Sequence, residues 1–572
     1  MVIHNKEISD KLNEVADLLD IKGENQFRVR AYRNAVRTIS GLSGSITEMA
    51  EEGKDISSLP GIGSSMAEKI DEILKTGELK QLKNLKKELP DSLIEIMKLE
   101  QMGPQRTKIL HDKLNINTID DLKKAAEDGE IEELEGFGRK TTKNILREIE
   151  EYSKKGGLQR IKISEAEKQI KPMIEYLKGK MDNVTIAGSY RRQKETVGDI
   201  DILATGKNPD KAMKDFTEYE EVDRVLSKGE TKSSIKLRTG LQVDLRLVKK
   251  RSFGAALLYF TGSKAHSIAL RKTGQNKGYK VNEYGVFKGK KRLASKTEKA
   301  MYEALDLTYI EPELRESRGE IEASRNNELP ALITLEDIKG DLHTHTNFTD
   351  GNYSPEEMIE AAQERGYKYY AITDHSKKVA MARGLDEKRL GKQIERIDAL
   401  NDKIKNIKIL KGIEVDILED GTLDLSNDIL KELDIVVCSV HYNRNLSKKK
   451  QTKRILKAMD NPYFNILAHP TGRLIGERRG YDVDMEKIMK EAKDKGCFLE
   501  INSFPDRLDL NDANARFAKE TGLKLSISTD AHSKGHLEYI KYGVAQARRG
   551  WLEKDDVLNT HSWKELKKLL TR

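Results

Sequence analysis

The chain has 572 residues, 35% of them charged and 37% hydrophobic, with a net charge of +8 and a pI of about 8.9. That length predicts three or four domains. No apolar run nears the ~18 residues that a spanning helix needs, and the charged start MVIHNKEISDKLNE has no apolar leader, so a cytoplasmic protein without a membrane segment is expected. The scarcity of cysteine, with only Cys438 and Cys497, fits a reducing compartment or simple avoidance. The mild basic excess permits nucleic acid as a partner without requiring it.

Residues 1–90 read as basic and helical, and 91–157 as a second helical region. Leu59-Pro60-Gly61-Ile62-Gly63 runs into the helix-like SSMAEKIDEILKTG, and Leu134-Glu135-Gly136-Phe137-Gly138 into RKTTKNILREI. Both resemble helix-hairpin-helix motifs. Their glycines let backbone N–H groups at a helix start approach a DNA phosphate, a contact that positions DNA without reading its sequence. Met102-Gly103-Pro104 resembles a third, degenerate copy with Gln101 in place of the first glycine. Gly61, Gly63, Gly103, Gly136 and Gly138 are the candidate DNA contacts.

Gly156-Gly157 marks the next boundary. Beyond it, GSYRRQKETVGDIDIL (188–203) sets Asp199 and Asp201 two apart in a strand-like run. Residues i and i+2 of a strand share a face, so both carboxylates point one way. Asp244 lies in a second strand-like run, VDLRLV. Three acids on neighbouring strands can hold two Mg²⁺ or Mn²⁺ ions about 3.5–4 Å apart, one to activate a 3′-hydroxyl and one to hold a triphosphate. A turn at Gly188-Ser189 would offer N–H groups and a hydroxyl to phosphate, and Arg191 and Arg192 would add charge.

The chain up to about residue 316 resembles family X DNA polymerases. The resemblance implies a nucleotidyltransferase palm over 158–250 with Asp199, Asp201 and Asp244 as catalytic triad. It implies that Gly188, Ser189 and Arg192 hold the nucleotide and that SKGETK (227–232) belongs to the palm. The thumb would span 251–315. There Tyr259, Phe260 and Gly262 match the sugar-contacting turn, Arg271 a template-strand contact, and Asn282-Glu283-Tyr284-Gly285 a thumb motif. Ser267 departs from the asparagine that touches the minor groove in the vertebrate repair member. Lys69 falls at that member's Schiff-base lysine of a sugar-phosphate lyase, with Tyr32 and Arg33 matching. Ser65 and Phe27 replace two supporting basic residues.

The polar stretch RESRGEIEASRNNELP lacks periodicity and reads as the start of a linker over 316–335. From 336 to 572, seven short apolar segments alternate with helix-like ones and each runs into a metal-binding residue, the signature of βα units whose strand ends converge at one mouth. The set is His343, His345, Asp350, His375, Glu414, His441, His469, Asp530 and His532. Nine such groups exceed the three or four protein ligands of one catalytic zinc and suit two or three divalent ions. With no thiol among them, Mn²⁺, Zn²⁺ and Fe are all admissible. Both cysteines fall in predicted barrel strands as core residues, and Lys448-Lys449-Lys450 reads as a solvated loop.

This region resembles the PHP (polymerase and histidinol phosphatase) phosphoesterases, which implies a distorted seven-stranded βα barrel. The expected whole is multidomain: helical hairpin domains, an α+β palm and thumb, then the barrel. Its expected work is gap filling on gapped or nicked DNA with dNTPs, by a monomer. The barrel would act as a 3′→5′ exonuclease or 3′-end cleaner, with cutting at abasic sites as a further expectation. Two alternatives stand beside this: a nuclease whose polymerase half only holds DNA, and a barrel acting on a small phosphate ester.

Overall fold

The computed structural model describes residues 5–42, 46–97, 99, 102–155 and 160–572. The boundary expected at Gly156-Gly157, and Gln101 in the degenerate hairpin, lie outside the described residues. The chain forms two compact units, residues 1–160 and 161–572. Among the described residues no helix is long and apolar enough to cross a membrane.

The first unit is helical. Its helices start at local signals: Asn25 accepts from the Phe27 N–H, and Thr118 forms a reciprocal capping box with Asp121. One apolar stripe per helix meets in a single core that includes Ile8, Leu12, Tyr32, Ile70, Leu110 and Phe137. Helices Ser64–Thr76, Pro104–Leu114 and Arg139–Lys155 each begin directly after a glycine: Gly63, Gly103 and Gly138.

The second unit begins with a five-stranded sheet. Its order is Asp182–Ile186, Asp199–Thr205, Gln242–Leu247, Lys232–Leu237 and Val222–Lys228. The Asp199–Thr205 and Gln242–Leu247 pair runs parallel and the other pairs antiparallel. Helices Ile163–Lys178 and Pro209–Thr217 supply apolar residues to the core that covers it. Next come helices Phe253–Thr261 and Lys264–Asn276 and a three-stranded sheet over 280–294. The expected turn at Gly188-Ser189 is present and leads into a single helical turn, Gly188–Arg191.

The stretch expected to be a linker is packed. It contains the helix Glu320–Asn326, and Arg315 and Glu320 are fully buried. Glu320 accepts from His266 at 2.7 Å, which in turn contacts the Tyr302 hydroxyl at 2.8 Å. Polar contacts over long sequence separations, together with Ile321, Leu329 and Leu332 packed into the neighbouring core, hold this segment in place.

Seven parallel strands follow in sequence order: Gly340–Asp341, Tyr369–Ile372, Lys408–Asp416, Ile435–Ser439, Ile466–Leu467, Phe498–Asn502 and Leu525–Ser528. A parallel bridge between Thr344 and Ala531 links the first strand end to the last. Alternate side chains divide between two cores. Ile409 and Val436 pack with the surrounding helices, whereas Leu410 and Val437 fill the interior with Leu566 and Leu570 of the last helix, Trp563–Leu570. That helix lies at the strand starts, since Asn465 donates to the Leu570 carbonyl and the Tyr369 hydroxyl to that of His561. The opposite end is left for chemistry. Cys438 and Cys497 are buried. Lys448–Lys450 form the first turn of the helix Lys448–Ala458, whose inner face buries Gln451, Ile455 and Ala458, so the loop expected there is a helix.

Candidate active sites

The first site lies in the five-stranded sheet. Asp201 and Asp244 are direct register partners on adjacent parallel strands, and Asp199 opens the first of them. Gly188 has φ +63°, and a Cβ there would stand 2.8 Å from the Asp201 Oδ2, so only glycine lets the turn press against that carboxylate. Burial, then the carboxylates of Asp199 and Asp244, push the Asp201 carboxyl up to about 6. Burial would also raise Asp244, but hydrogen bonds from Gln242 (3.0 Å), Lys232 (2.9 Å) and Ser234 hold it below its ordinary value. Acids crowded until they repel one another's ionisation are a donor set that fits divalent cations.

Arg191 binds Glu298 through two contacts of 2.8 and 2.6 Å, and the fully buried Arg315 binds the same carboxylate at 2.7 Å. Together they outweigh the effect of burial and hold Glu298 down at about 2. Arg192 turns to Glu316 (3.0 Å) and to the Thr261 carbonyl (2.5 Å). Gly262, at φ +67°, would put a Cβ 3.4 Å from the Arg192 guanidinium. Tyr259 meets Phe260 edge-on at 5.1 Å, and Arg246 covers the Phe260 ring at 4.3 Å. Tyr259, Ser267, Arg271 and Asn282 line one groove.

In the first unit, Gly61 and Gly136 adopt φ +79° and +88°. A Cβ added at Gly63, Gly103, Gly136 or Gly138 would meet open space. Lys69 donates to the Ser65 carbonyl (2.9 Å) and hydroxyl (2.8 Å). It borders a cavity of about 510 Å³ together with Lys22, Arg28, Glu72 and Lys80. Phe27 is exposed.

The second site is the barrel mouth, where the structure gathers all nine expected residues. Ligand atoms of three overlapping groups lie within 4.8 Å of one another: His345, Asp350, His375 and His532; His343, His345 and Asp530; His375, Glu414 and His441. His469 joins through the Glu414 Oε1 at 3.0 Å. Asp350 lies 3.5 Å from both His375 and His532. Although burial opposes ionisation, the histidines around Glu414 and Asp530 hold both carboxyls well below their ordinary range. Burial and the neighbouring His532 and His375 pull His345 down to about 3, so its imidazole stays neutral. The buried Nδ1 atoms of His345 and His469 have no hydrogen-bond partner. Orphaned imidazole nitrogens packed among ionised carboxylates fit a cluster of divalent cations. His469 and Asp530 have φ +28° and +54°, the kind of backbone strain that concentrates at functional sites.

Supporting groups surround the nine. Glu500 accepts from the His343 Nδ1 at 2.8 Å and from the His469 N–H at 2.7 Å. Asn502 donates to Asp530 at 3.1 Å. Asp341, pushed up to about 6 by burial, accepts from the Thr529 hydroxyl at 2.5 Å. Asp374 accepts from Thr346, Thr349 and Gln393. Asp416 contacts His441, and Asp509 receives the N–H groups of Thr471 and Gly472. Asp416 and Asp509 carry no signal in the sequence beyond lying near strand ends.

Comparison with known proteins follows this division of the chain. Family models match a helix-hairpin-helix domain at residues 3–79, a SAM-like helix-hairpin-helix tandem at 93–151, a DNA polymerase beta palm at 158–259, a DNA polymerase beta thumb at 256–316 and a PHP domain at 341–504. Over 576 aligned residues the chain is 37% identical to the "DNA polymerase/3'-5' exonuclease PolX" of Bacillus subtilis (strain 168), covering the full length of both. About a third of the chain matches shorter proteins. It is 34% identical over 231 residues to a "probable phosphatase" of Thermoanaerobacter sp. (strain X514), covering 38% of this chain and 89% of that protein. It is 32% identical over 205 residues to another of Caldanaerobacter subterraneus, covering 34% and 75%. The chain belongs to the family X DNA polymerases that carry a C-terminal PHP domain.

Proposed function

We propose that this chain fills short gaps in DNA by template-directed addition of dNTPs, and that its barrel removes nucleotides from DNA 3′ ends. The observation that carries the reading is two separate clusters of candidate ligands in one unit: the carboxylates Asp199, Asp201 and Asp244 on adjacent strands of the sheet, and nine His, Asp and Glu side chains at the barrel mouth. In the sheet the three carboxylates would hold Mg²⁺ or Mn²⁺, which when bound lowers the pKa of the primer hydroxyl and neutralises the triphosphate. Gly188 keeps the turn against Asp201. Ser189 and Arg192 take the phosphates, with Arg192 leaving Glu316 to do so. Tyr259, Phe260 and Gly262 form the wall against the sugar, and Arg271 faces the template strand. Catalysis here is positioning and charge stabilisation. The hairpin glycines Gly61, Gly63, Gly103, Gly136 and Gly138 hold the duplex by its phosphates.

At the barrel mouth, His343, His345, Asp350, His375, Glu414, His441, His469, Asp530 and His532 would hold two or three ions of Mn²⁺, Zn²⁺ or Fe. Glu500 and Asn502 fix the orientation of their first neighbours. Abasic-site cleavage is a second use of the same chemistry. The protein works in the cytoplasm as a repair enzyme. Incorporation of one dNTP should be more efficient at a one-nucleotide gap than on an open template-primer; equal efficiency would remove the gap-filling role.

A second reading, a barrel acting on small phosphate esters, is favoured by the likeness of about a third of the chain to probable phosphatases. Offering histidinol phosphate beside a 3′-labelled oligonucleotide decides between the two. Preference for the oligonucleotide supports the nuclease, and preference for the ester supports the phosphatase.

A further inference from the structure

Three successive loops at the barrel mouth each contribute one arginine to a common cluster: Arg444 after the strand Ile435–Ser439, Arg478 after Ile466–Leu467, and Arg507 after Phe498–Asn502. Arg444 and Arg478 donate to the same acceptor, the Gly472 carbonyl, Arg478 at 3.2 Å. Gly472 lies three residues past His469 and donates its own N–H to the His469 carbonyl at 2.8 Å. Arg507 lies 3.7 Å from the Asp530 Oδ2. Arg473 fixes the loop carrying it, donating its Nε–H to the Arg507 carbonyl at 2.9 Å while the same guanidinium binds Glu195 of the palm at 2.7 Å. The cluster therefore starts at the metal-binding groups and extends outward.

Apart from the contact of Arg507 with Asp530, no ion pair ties the three arginines to an acid among the described residues. The two carboxylates beside the arginines in sequence, Glu477 and Asp506, both bind Lys162 of the palm, at 2.9 and 2.7 Å. The Nε of Arg444 is buried with no hydrogen-bond partner. Burial, then mutual repulsion, lowers the pKa of both Arg444 and Arg478. Like charges held together on a shared carbonyl await an anion, and guanidinium groups grip phosphate oxygens in pairs.

We propose that Arg444, Arg478 and Arg507 form a binding site for the sugar-phosphate backbone of a single DNA strand entering the barrel, with Lys162 of the palm keeping the adjacent acids away from it. The inference rests on the reading of the barrel as a DNA-end nuclease and names how it takes a strand rather than a lone ester. An extended row of cations beside the metal groups suits consecutive phosphodiesters, since a single phosphate would use only its inner end.

The test uses the full-length protein with Mn²⁺, the tetranucleotide d(T)4 and the small diester bis(p-nitrophenyl) phosphate. Arg478 is exposed, so Arg478→Ala should fold normally. The expected result is a roughly tenfold rise in KM for d(T)4 with kcat little changed. The ratio of kcat/KM for d(T)4 to that for the diester should fall by about the same factor. The slope of log(kcat/KM) against log[NaCl] should flatten by about 1, as for loss of one phosphate contact, and Arg478→Lys should restore the slope. Adding Arg444→Ala should deepen the loss. If the wild-type protein shortens d(T)4 and Arg478→Ala leaves the ratio and the slope unchanged, the strand site is overturned and the nuclease reading stands. If the wild-type protein hydrolyses the diester and not d(T)4, the nuclease reading itself falls.

Discussion

Arg549, near the end of the barrel helix Ile540–Arg549, donates a 2.6 Å hydrogen bond to the main-chain carbonyl of Arg192 in the palm. The same guanidinium holds Glu316 at 3.1 Å and Asp512 at 2.6 Å, and Glu316 holds the Arg192 side chain at 3.0 Å. A barrel residue thus fixes both the backbone and the side-chain partner of the arginine assigned to the incoming triphosphate. Replacing it leaves two half-buried carboxylates with less compensation, a change that costs at most the roughly 3–5 kcal/mol of a broken buried pair. Arg549→Ala should raise the KM for dNTP severalfold, with a smaller change in kcat, and leave hydrolysis of 3′ ends within twofold. Steady-state incorporation kinetics test this; an unchanged KM would sever the link.

The same contact makes stability depend on pH. Burial alone would raise Glu316, but Arg549, Lys194 and Arg192 hold it down at about 2, against an ordinary 4.5. A carboxyl lowered on folding contributes stability that is present above about 4.5 and lost as pH falls toward 2. The shift corresponds to about 3 kcal/mol. Both tryptophans, Trp551 and Trp563, lie in this unit, so their fluorescence reports its urea unfolding. Between pH 5.5 and 3.5 the midpoint should fall less steeply for Glu316→Gln than for the wild-type protein. Parallel curves would contradict the assignment.

Gly188 tests the polymerase turn. A Cβ there would stand 2.8 Å from the Asp201 carboxylate, on a backbone with φ +63°. Left-handed backbone alone costs an ordinary residue roughly 1–2 kcal/mol. Gly188→Ala should lower incorporation at least tenfold and leave 3′-end hydrolysis intact, measured on the same preparation.

Glu500 tests the support of the barrel ligands, since it holds both the His343 ring and the His469 backbone. Partners of this kind are worth about 10–100-fold in metal affinity. Glu500→Gln should weaken Mn²⁺ binding by that order in isothermal titration. In the wild-type protein, stripping the metal with chelator should lower the barrel's melting temperature, because a ligand at 100 times its Kd adds roughly 2.7 kcal/mol.

Much of this was legible in the sequence where chemistry follows a local period. The two-residue spacing of Asp199 and Asp201 announced a shared strand face, and seven apolar segments each running into a residue that can bind metal announced seven parallel strands, as found. What the sequence hid depends on distant partners. Glu500 lies within a strand, and only the fold shows it beneath His343, 157 positions away. Residues 316–330 read as a linker because they are polar, yet Glu316 pairs with Arg549 and Glu320 is buried against His266. Lys448–Lys450 looked like a loop because the anchors of that helix, Ile455 and Ala458, lie further on. No local pattern reveals that Lys162 of the palm takes the acids beside Arg478 and Arg507.

The most direct test of two independent active sites is a one-nucleotide-gapped duplex with a 5′-labelled primer, incubated with Mg²⁺ or Mn²⁺, with and without dNTPs. Wild-type, Asp199→Ala and His343→Ala proteins are run side by side. The account predicts that the wild-type protein extends the primer with dNTPs and shortens it without them. Asp199→Ala should lose only extension, and His343→Ala only shortening. Loss of both activities from either single substitution, or extension that survives Asp199→Ala, would contradict it.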